Sequence, residues 1–293
     1  MLAQLIVNGL AIGSCYALLA LAMVIIYKTS EVLNFAQGEM AMVSTFIAFM
    51  LLDSYHLHFA LAFFLSLVFA FVLGVVLEFI FLRPAKDPTV LGLIVITLAF
   101  EMILYGFAGW KWGAEQKSLP FPISDTSVYN IKGVVISQLS VWTFIICLSL
   151  MLMLFLFFKY TKLGIATKAT QQNQVAARLM GINTKRIFSL TWGLSSLIGA
   201  VAGILLAPIT TLDPNLMMDP LLKGFASAVL GGMTSLPGAA LGGGILGVTE
   251  NLFAWYLGEA GFVFKSVVAF AVIILVLCFR PSGLLSRHYV KKV

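Results

Sequence analysis

The sequence predicts an all-α integral membrane protein, a polytopic helical bundle, and three observations carry that prediction. Of its 293 residues, 61% are hydrophobic and only 10% are charged, whereas soluble domains average about 25% charged residues. Apolar stretches of about 20 residues, each enough to cross the hydrocarbon layer, recur along the whole chain. Continuous runs such as FFLSLVFAFVLGVVLEFIFL lack the residue-by-residue alternation of a membrane β-barrel. Helices are then required, because backbone groups facing lipid must be satisfied within their own segment.

Eight full crossings are expected, at 3–27, 37–52, 58–82, 89–109, 139–158, 186–207, 238–257 and 262–280, in one transmembrane domain 1–293. A broken element at 215–234 falls between the sixth and the seventh. The opening MLAQLIVNGL has no basic start of the secretory type, so the first segment is expected to be a retained span although Ala20-Leu21-Ala22 mimics a cleavage site. Cys15, Cys147 and Cys278 are far apart in apolar segments; they read as small buried hydrophobes, and neither a disulfide nor a metal cluster is expected. His56 and His58 lack a third ligand nearby and read as a polar loop. Small residues four apart at Gly9/Gly13, Gly199/Gly203, Gly238/Gly242 and Gly243/Gly247 mark places where helix backbones approach closely.

Orientation follows from lysine and arginine in short loops. The segment 159–186 holds Lys159, Lys162, Lys168, Arg178, Lys185 and Arg186 and no acid. The turn with Arg83 and Lys86, and the tail with Arg280, Arg287, Lys291 and Lys292, are basic too. All three are expected on the cytoplasmic side, the C-terminus included. The loop 110–138 is nearly balanced, with Glu115 and Asp125 against three lysines, and carries the breakers Pro120, Pro122 and Gly133; it belongs outside. A first span that crosses fully then starts outside.

Two polar interruptions stand out. A charge at the bilayer centre costs at least ~2.5–3.5 kcal/mol on insertion scales, so it is expected only where it is paired or wet. YKTSEVLNFAQGEMAM, from Tyr27 to Met42, places Asn34, Gln37 and Glu39 between apolar runs. The second, at 213–244, contains Asp213-Pro214, Asp219-Pro220, Lys223, Gly231-Gly232 and Pro237-Gly238. Broken helices of this kind point to a solute route near the midplane, and a half-helix at 220–230 would aim its amides at a carboxylate. Surface loops are the plainer reading of both. Candidate route residues are Asn34, Gln37, Glu39, the mid-span Glu101, Ser227, Gly231, and the adjacent Glu250 and Asn251. Glu78, close to Arg83, reads as a satisfied pair near the inner face.

The segment YTKLGIATKATQQNQVAARLMGINTKRI is rich in helix formers between Gly164 and Gly181. A helix over 165–180 is expected, about 24 Å long and too polar to span. Ile165, Ala169, Ala176, Leu179 and Met180 fall on one side, and Lys168, Gln171, Gln174 and Arg178 on the other. The apolar strip is narrow and made of small residues, which suits a groove on a protein partner better than lipid.

Here the sequence resembles the permeases of branched-chain amino acid ATP-driven importers. GIATKATQQNQVAARLMGI is similar to their coupling loop. GLAIGSCYALLALAMVIIY with VLNFAQGEMAM resembles their N-terminal signature, FASAVLGGMTSLPGAALGGGILG their C-terminal one, and FRPSGLL their tail. Lys168 stands where arginine is common. The wider fold is also similar to sugar permeases of the ribose type. The resemblance implies a second homologous permease, two ATP-binding subunits and a periplasmic substrate-binding protein as partners, in a bacterial inner membrane. Membrane lipid is the expected surrounding, and nucleic acid is not an expected partner. It also implies that Gly164, Lys168, Gln172, Ala176, Arg178, Leu179 and Gly181 couple the chain to an ATPase. No phosphate-binding loop Gly-x-x-x-x-Gly-Lys-(Ser/Thr) occurs, so ATP and magnesium are expected on the partners, and no cofactor or metal on this chain. Branched-chain amino acids are the implied solute. Urea, amides or other small acids within the same family are the alternative, as is a self-contained secondary transporter or channel. An intramembrane enzyme would need HExxH, Gly-x-Ser-x-Gly or a membrane histidine, and none is present.

Overall fold

The computed structural model describes residues 2–85, 89–123, 127–131, 134–258, 265–280 and 282–285. The expectations that fall on Lys86, Asp125, Gly133, Arg287, Lys291 and Lys292 lie outside the described residues.

The chain folds into helices α1 (Leu2–Ser30), α2 (Gln37–Asp53), α3 (Phe59–Val76) and α4 (Val90–Trp112), then α5 (Gln138–Tyr160), α6 (Lys162–Gln172), α7 (Gln174–Leu179) and α8 (Thr184–Leu206). The described chain closes with α9 (Met218–Gly231), α10 (Leu236–Tyr256) and α11 (Lys265–Phe279). Each expected crossing has a helix within a few residues of its predicted bounds. Five of the described helices are long and apolar enough to cross a membrane: α1, α3 with its extension to Leu82, α4, α5 and α8. Of the rest, α2 has 17 residues and α11 has 15, while α10 has 21 but is glycine-rich and carries Glu250 and Asn251.

Helix α1 is the axis of the bundle. It is apolar all round and buried almost without interruption from Gly9 to Ile26, as expected of a helix with no polar face. Helices α5, α8, α9 and α10 pack on it. Its closest crossing is with α10. A methyl group at Gly13 would stand 2.6 Å from the Gly243 carbonyl oxygen, and one at Gly9 would stand 2.8 Å from Val248 Cα. With lipid tails as apolar as the side chains, this backbone approach contributes packing that larger residues would prevent.

The two ends of the bundle are distinct. At one end Thr29 Oγ1 of α1 donates to Thr191 Oγ1 of α8 at 3.4 Å, and α6 packs against both helices. At the other, Phe46 stacks on Trp112 at 4.8 Å, and Lys117 pairs with Leu212 in an antiparallel bridge. A short hairpin, β1 (Val128–Ile131) with β2 (Val134–Ser137), lies in the connection that was expected to be loop. It pairs Val128 with Ser137 and Ile131 with Val134.

Three further expectations change. Leu77–Leu82 is a π-helical turn at the end of α3. The segment 165–180 is two helices, not one rod, because Asn173 leaves the helical conformation (φ −158°, ψ 108°) and its Oδ1 accepts from the amides of Val175 and Ala176. An asparagine in this role starts a new helix. Finally, Cys15 and Cys147, 132 positions apart, meet with their Sγ atoms at 4.0 Å, both buried as thiols, while Cys278 is exposed.

Candidate translocation route and coupling surface

After Ser30 the chain abandons helix for six residues and turns back between α4 and α8. Glu31 takes a left-handed conformation, φ 57°. Phe35 N then donates to Thr97 Oγ1 of α4 at 3.3 Å, and Thr97 Oγ1 lies 3.4 Å from the Leu33 carbonyl. Helix α2 starts at Gln37, against the middle of α8. Gln37 Nε2 donates to the Ser195 carbonyl at 3.0 Å, and Ser195 Oγ and Asn34 Nδ2 reach Gln37 Oε1 at 2.9 and 3.1 Å. Ser195 Oγ also contacts the Ala22 carbonyl of α1 at 2.8 Å. Gly199 makes room for this amide: a methyl group there would collide with Gln37 Nε2. Gln37 is therefore a clamp between the break and two core helices, with no exposed surface (0%).

Two other members of the first interruption are less satisfied. Asn34 Oδ1 and Glu39 Oε2 are buried without a hydrogen-bond partner among the described residues. Buried polar atoms are seldom left this way. Glu39 lies in the first turn of α2, and α2 packs on α4, which carries Glu101. The spacing is consistent, since Phe35 meets Thr97 and each acid lies four residues further on. Glu101 itself is half-buried, on a helix whose flanking Leu98, Met102 and Tyr105 are exposed.

The second interruption folds differently from the first. Lys223 is buried in α9, and its Nζ lies 2.5 Å from Glu250 Oε1 of α10, 2.6 Å from Asp219 Oδ2 and 5.5 Å from the Tyr16 ring centroid. It faces a cavity of about 400 Å³ bordered by Tyr16, Thr210, Asp213, Asn215 and Asp219. Tyr105 Oη donates to Asn215 Oδ1 at 3.3 Å, joining this cavity to the α4 face one turn beyond Glu101. The first turn of α9 carries its own carboxylate, Asp219, so the positive end of its dipole is already complemented. The other three candidates are taken up in packing. Ser227 Oγ donates to the Lys223 carbonyl at 2.6 Å, Gly231 lies against Gly238, and Asn251 Nδ2 donates to the Leu5 carbonyl at 2.6 Å. Lys223 is the residue that the list of candidates lacked. A lone lysine inside LLKGFASAVL, with Glu250 the next acid along the chain, was its signal.

At the basic end, Glu78 is satisfied as expected. Arg83 Nη2 reaches Glu78 Oε2 at 3.0 Å and Ser189 Oγ at 2.7 Å, and Ser189 Oγ donates to Glu78 Oε2 at 2.5 Å. The π-helical turn brings positions five apart, 78 and 83, onto one side. The face that α6 and α7 turn to the bundle is Gly164, Thr167, Thr170 and Ala177, which leaves Ile165, Ala176, Leu179 and Met180 of the expected strip on the outward side. Gly164 lets α6 fold back on α5, where a methyl group would stand 2.6 Å from Phe158 Cα. Arg178 Nε donates to Thr184 Oγ1 at 2.9 Å, fixing α7 to α8, and Gly181 turns the chain at φ 82°. Lys168, Gln172 and Ala176 are exposed, and Ile165, Val175, Leu179 (84%) and Met180 (82%) form an apolar surface directed away from the bundle. Among the described residues no group of three or more metal-ligating side chains occurs.

A bundle of membrane helices with a broken entry, buried polar acceptors without a partner among the described residues and an exposed apolar surface at its basic end suits a transport protein. The chain belongs to the family of permease components of the branched-chain amino acid transport system, whose profile matches residues 5–277. It is similar to the high-affinity branched-chain amino acid transport system permease protein BraD of Pseudomonas aeruginosa, with 34% identity over 99% of this chain and 97% of that one. It is also similar to the corresponding permease protein LivH of Escherichia coli, with 32% identity over 99% and 97%. In fold it resembles PsaBC from Streptococcus pneumoniae, solved in complex with Fab, with TM-score 0.50 and 16% identity over 92% of this chain and 90% of that chain. Membership supports a permease over a self-contained carrier.

Proposed function

We propose that the chain forms, with a second homologous permease, the path by which leucine, isoleucine and valine cross a bacterial inner membrane, driven by ATP hydrolysed on two partner subunits. The names of the relatives supply the solute. The observation that carries the route is Glu101: a half-buried carboxylate in the middle of a helix with an exposed apolar surface. Facing lipid, it would incur the ~2.5–3.5 kcal/mol insertion penalty; against a second permease across a wet path, it need not. Behind it, Glu39 and Asn34 offer acceptors without donors, a setting that favours the ammonium group of an amino acid. The apolar remainder of the α4 surface suits its side chain.

The basic end is the cytoplasmic one in this reading, as is the C-terminus, and ATP with magnesium binds the partners. Each ATPase receives the surface of Ile165, Val175, Leu179 and Met180 in a groove. Closure of the ATPases moves α6 and α7, and with them α5 and α8. A periplasmic binding protein delivers solute at the other end, beside the hairpin and the 207–217 connection. The test is uptake by the assembled complex in vesicles, offered each branched-chain amino acid and urea. Glu101→Gln and Glu39→Gln are expected to lower uptake with assembly intact. Normal uptake in both would remove the route from α4, and uptake of urea alone would replace the solute.

A further inference from the structure

We infer that the lateral groove between α5 and α10, floored by α1, is a binding site for one acyl chain of a membrane lipid. The groove has a volume of about 520 Å³, with Leu10 and Ala17 of α1 in its floor and Phe144, Leu148 and Met151 of α5 and Gly244 and Ile245 of α10 in its walls. That volume is within the range of small-ligand sites. It exists because α1 and α10 cross through glycines: with no side chain at Gly244, nothing fills the space between the two flanking helices. All three stretches lie near the middle of their helices, so the groove is at mid-bilayer depth. Phe144–Met151 covers roughly 10 Å along the membrane normal and Ala240–Thr249 roughly 13 Å, at 1.5 Å per residue.

The lining excludes a polar occupant. Its hydroxyls are Ser14 and Thr249, and each donates its proton within its own helix, to the Ala11 carbonyl at 2.6 Å and the Ile245 carbonyl at 2.7 Å. Among the described residues no charged group borders the groove, so neither a zwitterion nor a column of water finds partners there. The groove is continuous with the exposed apolar faces of both walls, Leu148, Leu152 and Phe155 on α5 and Leu241 and Ile245 on α10. The fluid that reaches those faces at this depth is lipid tails. An empty groove would forfeit the dispersion contacts of its walls. Because tails gain no hydrophobic energy by leaving other tails, packing alone retains the chain, and it exchanges with the bilayer. Helix α4 lines no part of the groove, so a second permease placed on Glu101 leaves it open.

The test uses the assembled complex in membranes containing a phospholipid with a photoactivatable diazirine in its acyl chain. Labelled positions are read by peptide mass spectrometry. In the wild type, the recessed Leu10 and Met151 are expected to be labelled alongside Leu152, which faces lipid outside the groove. Gly244→Phe fills the groove from its α10 wall, and its added Cβ meets nothing nearer than Leu10 Cδ2 at 3.8 Å. It is expected to lower labelling of Leu10 and Met151 severalfold and leave Leu152 unchanged, with Gly244→Val intermediate. Absence of label at Leu10 and Met151 in the wild type, as when a protein partner covers the groove, would overturn the inference. So would equal labelling in the filled variants. If Gly244→Phe does not assemble, the wild-type pattern and Gly244→Val decide. None of these readings depends on solute uptake, so the proposed route can fail while the lipid site stands, and the reverse.

Discussion

Lys223 is held by two carboxylates that are not equivalent. Glu250 is buried with it, whereas the Asp219 side chain is half exposed (54%) and screened by solvent. Removing one member of a buried pair strands the other and typically costs about 3–5 kcal/mol. Lys223→Met is therefore expected to lower the unfolding temperature of the solubilised protein strongly, and Glu250→Gln less, since Lys223 keeps Asp219. The double variant is expected to recover most of the loss, because no stranded charge remains; a double variant worse than Lys223→Met alone would refute mutual neutralisation. This pair was only half legible in the sequence. Glu78 and Arg83 are five positions apart and could be matched by eye. Lys223 and Glu250 are separated by 27, and Cys15 and Cys147 by 132, and only the packing of α9 on α10 and α1 on α5 brings them together. Gln37 was recognisable as polar in an apolar setting, but its satisfaction by Ser195 depended on a helix 158 positions away.

At the scale of elements, the helices themselves were readable because the bilayer imposes long apolar runs with little ambiguity. The breaks were not. Asn173 ends one helix and caps the next, and its neighbours are helix formers that hide it. Asn173→Ala removes that cap, with a typical cost of ~1 kcal/mol to the helix it starts. Hydrogen exchange of the 174–179 amides is expected to accelerate, with solute uptake reduced and the bundle unchanged; unaltered exchange would show that α7 is held by Arg178 and Thr184 alone. The side of the coupling segment that meets the bundle was hidden for a related reason. Helical periodicity separates apolar from polar positions, but here threonines and a glycine face the bundle, satisfying their hydroxyls on their own backbone, while the larger apolar residues face out. The apolar strip expected to meet a partner lies on the outward side, and the bundle-facing side carries no apolar signal of its own. Gly13→Leu probes the other decisive contact, the crossing of α1 and α10. The Gly243 carbonyl that would stand 2.6 Å from a Cβ at Gly13 is backbone and cannot yield without separating the helices, so loss of folded protein from the membrane is expected.

For the whole molecule, the layout is a buried first helix packed by α5, α8, α9 and α10, with a basic end that exposes an apolar surface and with Glu101 on the exposed α4 face. In the proposed mechanism, work entering at α6 and α7 reaches the route through α8, which holds both Arg178 by Thr184 and Gln37 by Ser195. The central claim is that this chain moves solute only when its exposed apolar surface is seated on an ATPase. It is tested most directly by ATP-dependent leucine uptake in vesicles containing the chain with its sister permease, the ATPases and the binding protein, beside the same assembly carrying Leu179→Glu and Met180→Glu. The account predicts uptake in the first, none in the second although the bundle remains folded, and none by the chain alone. Wild-type uptake in the double variant, or leucine movement by the chain without partners, would contradict it.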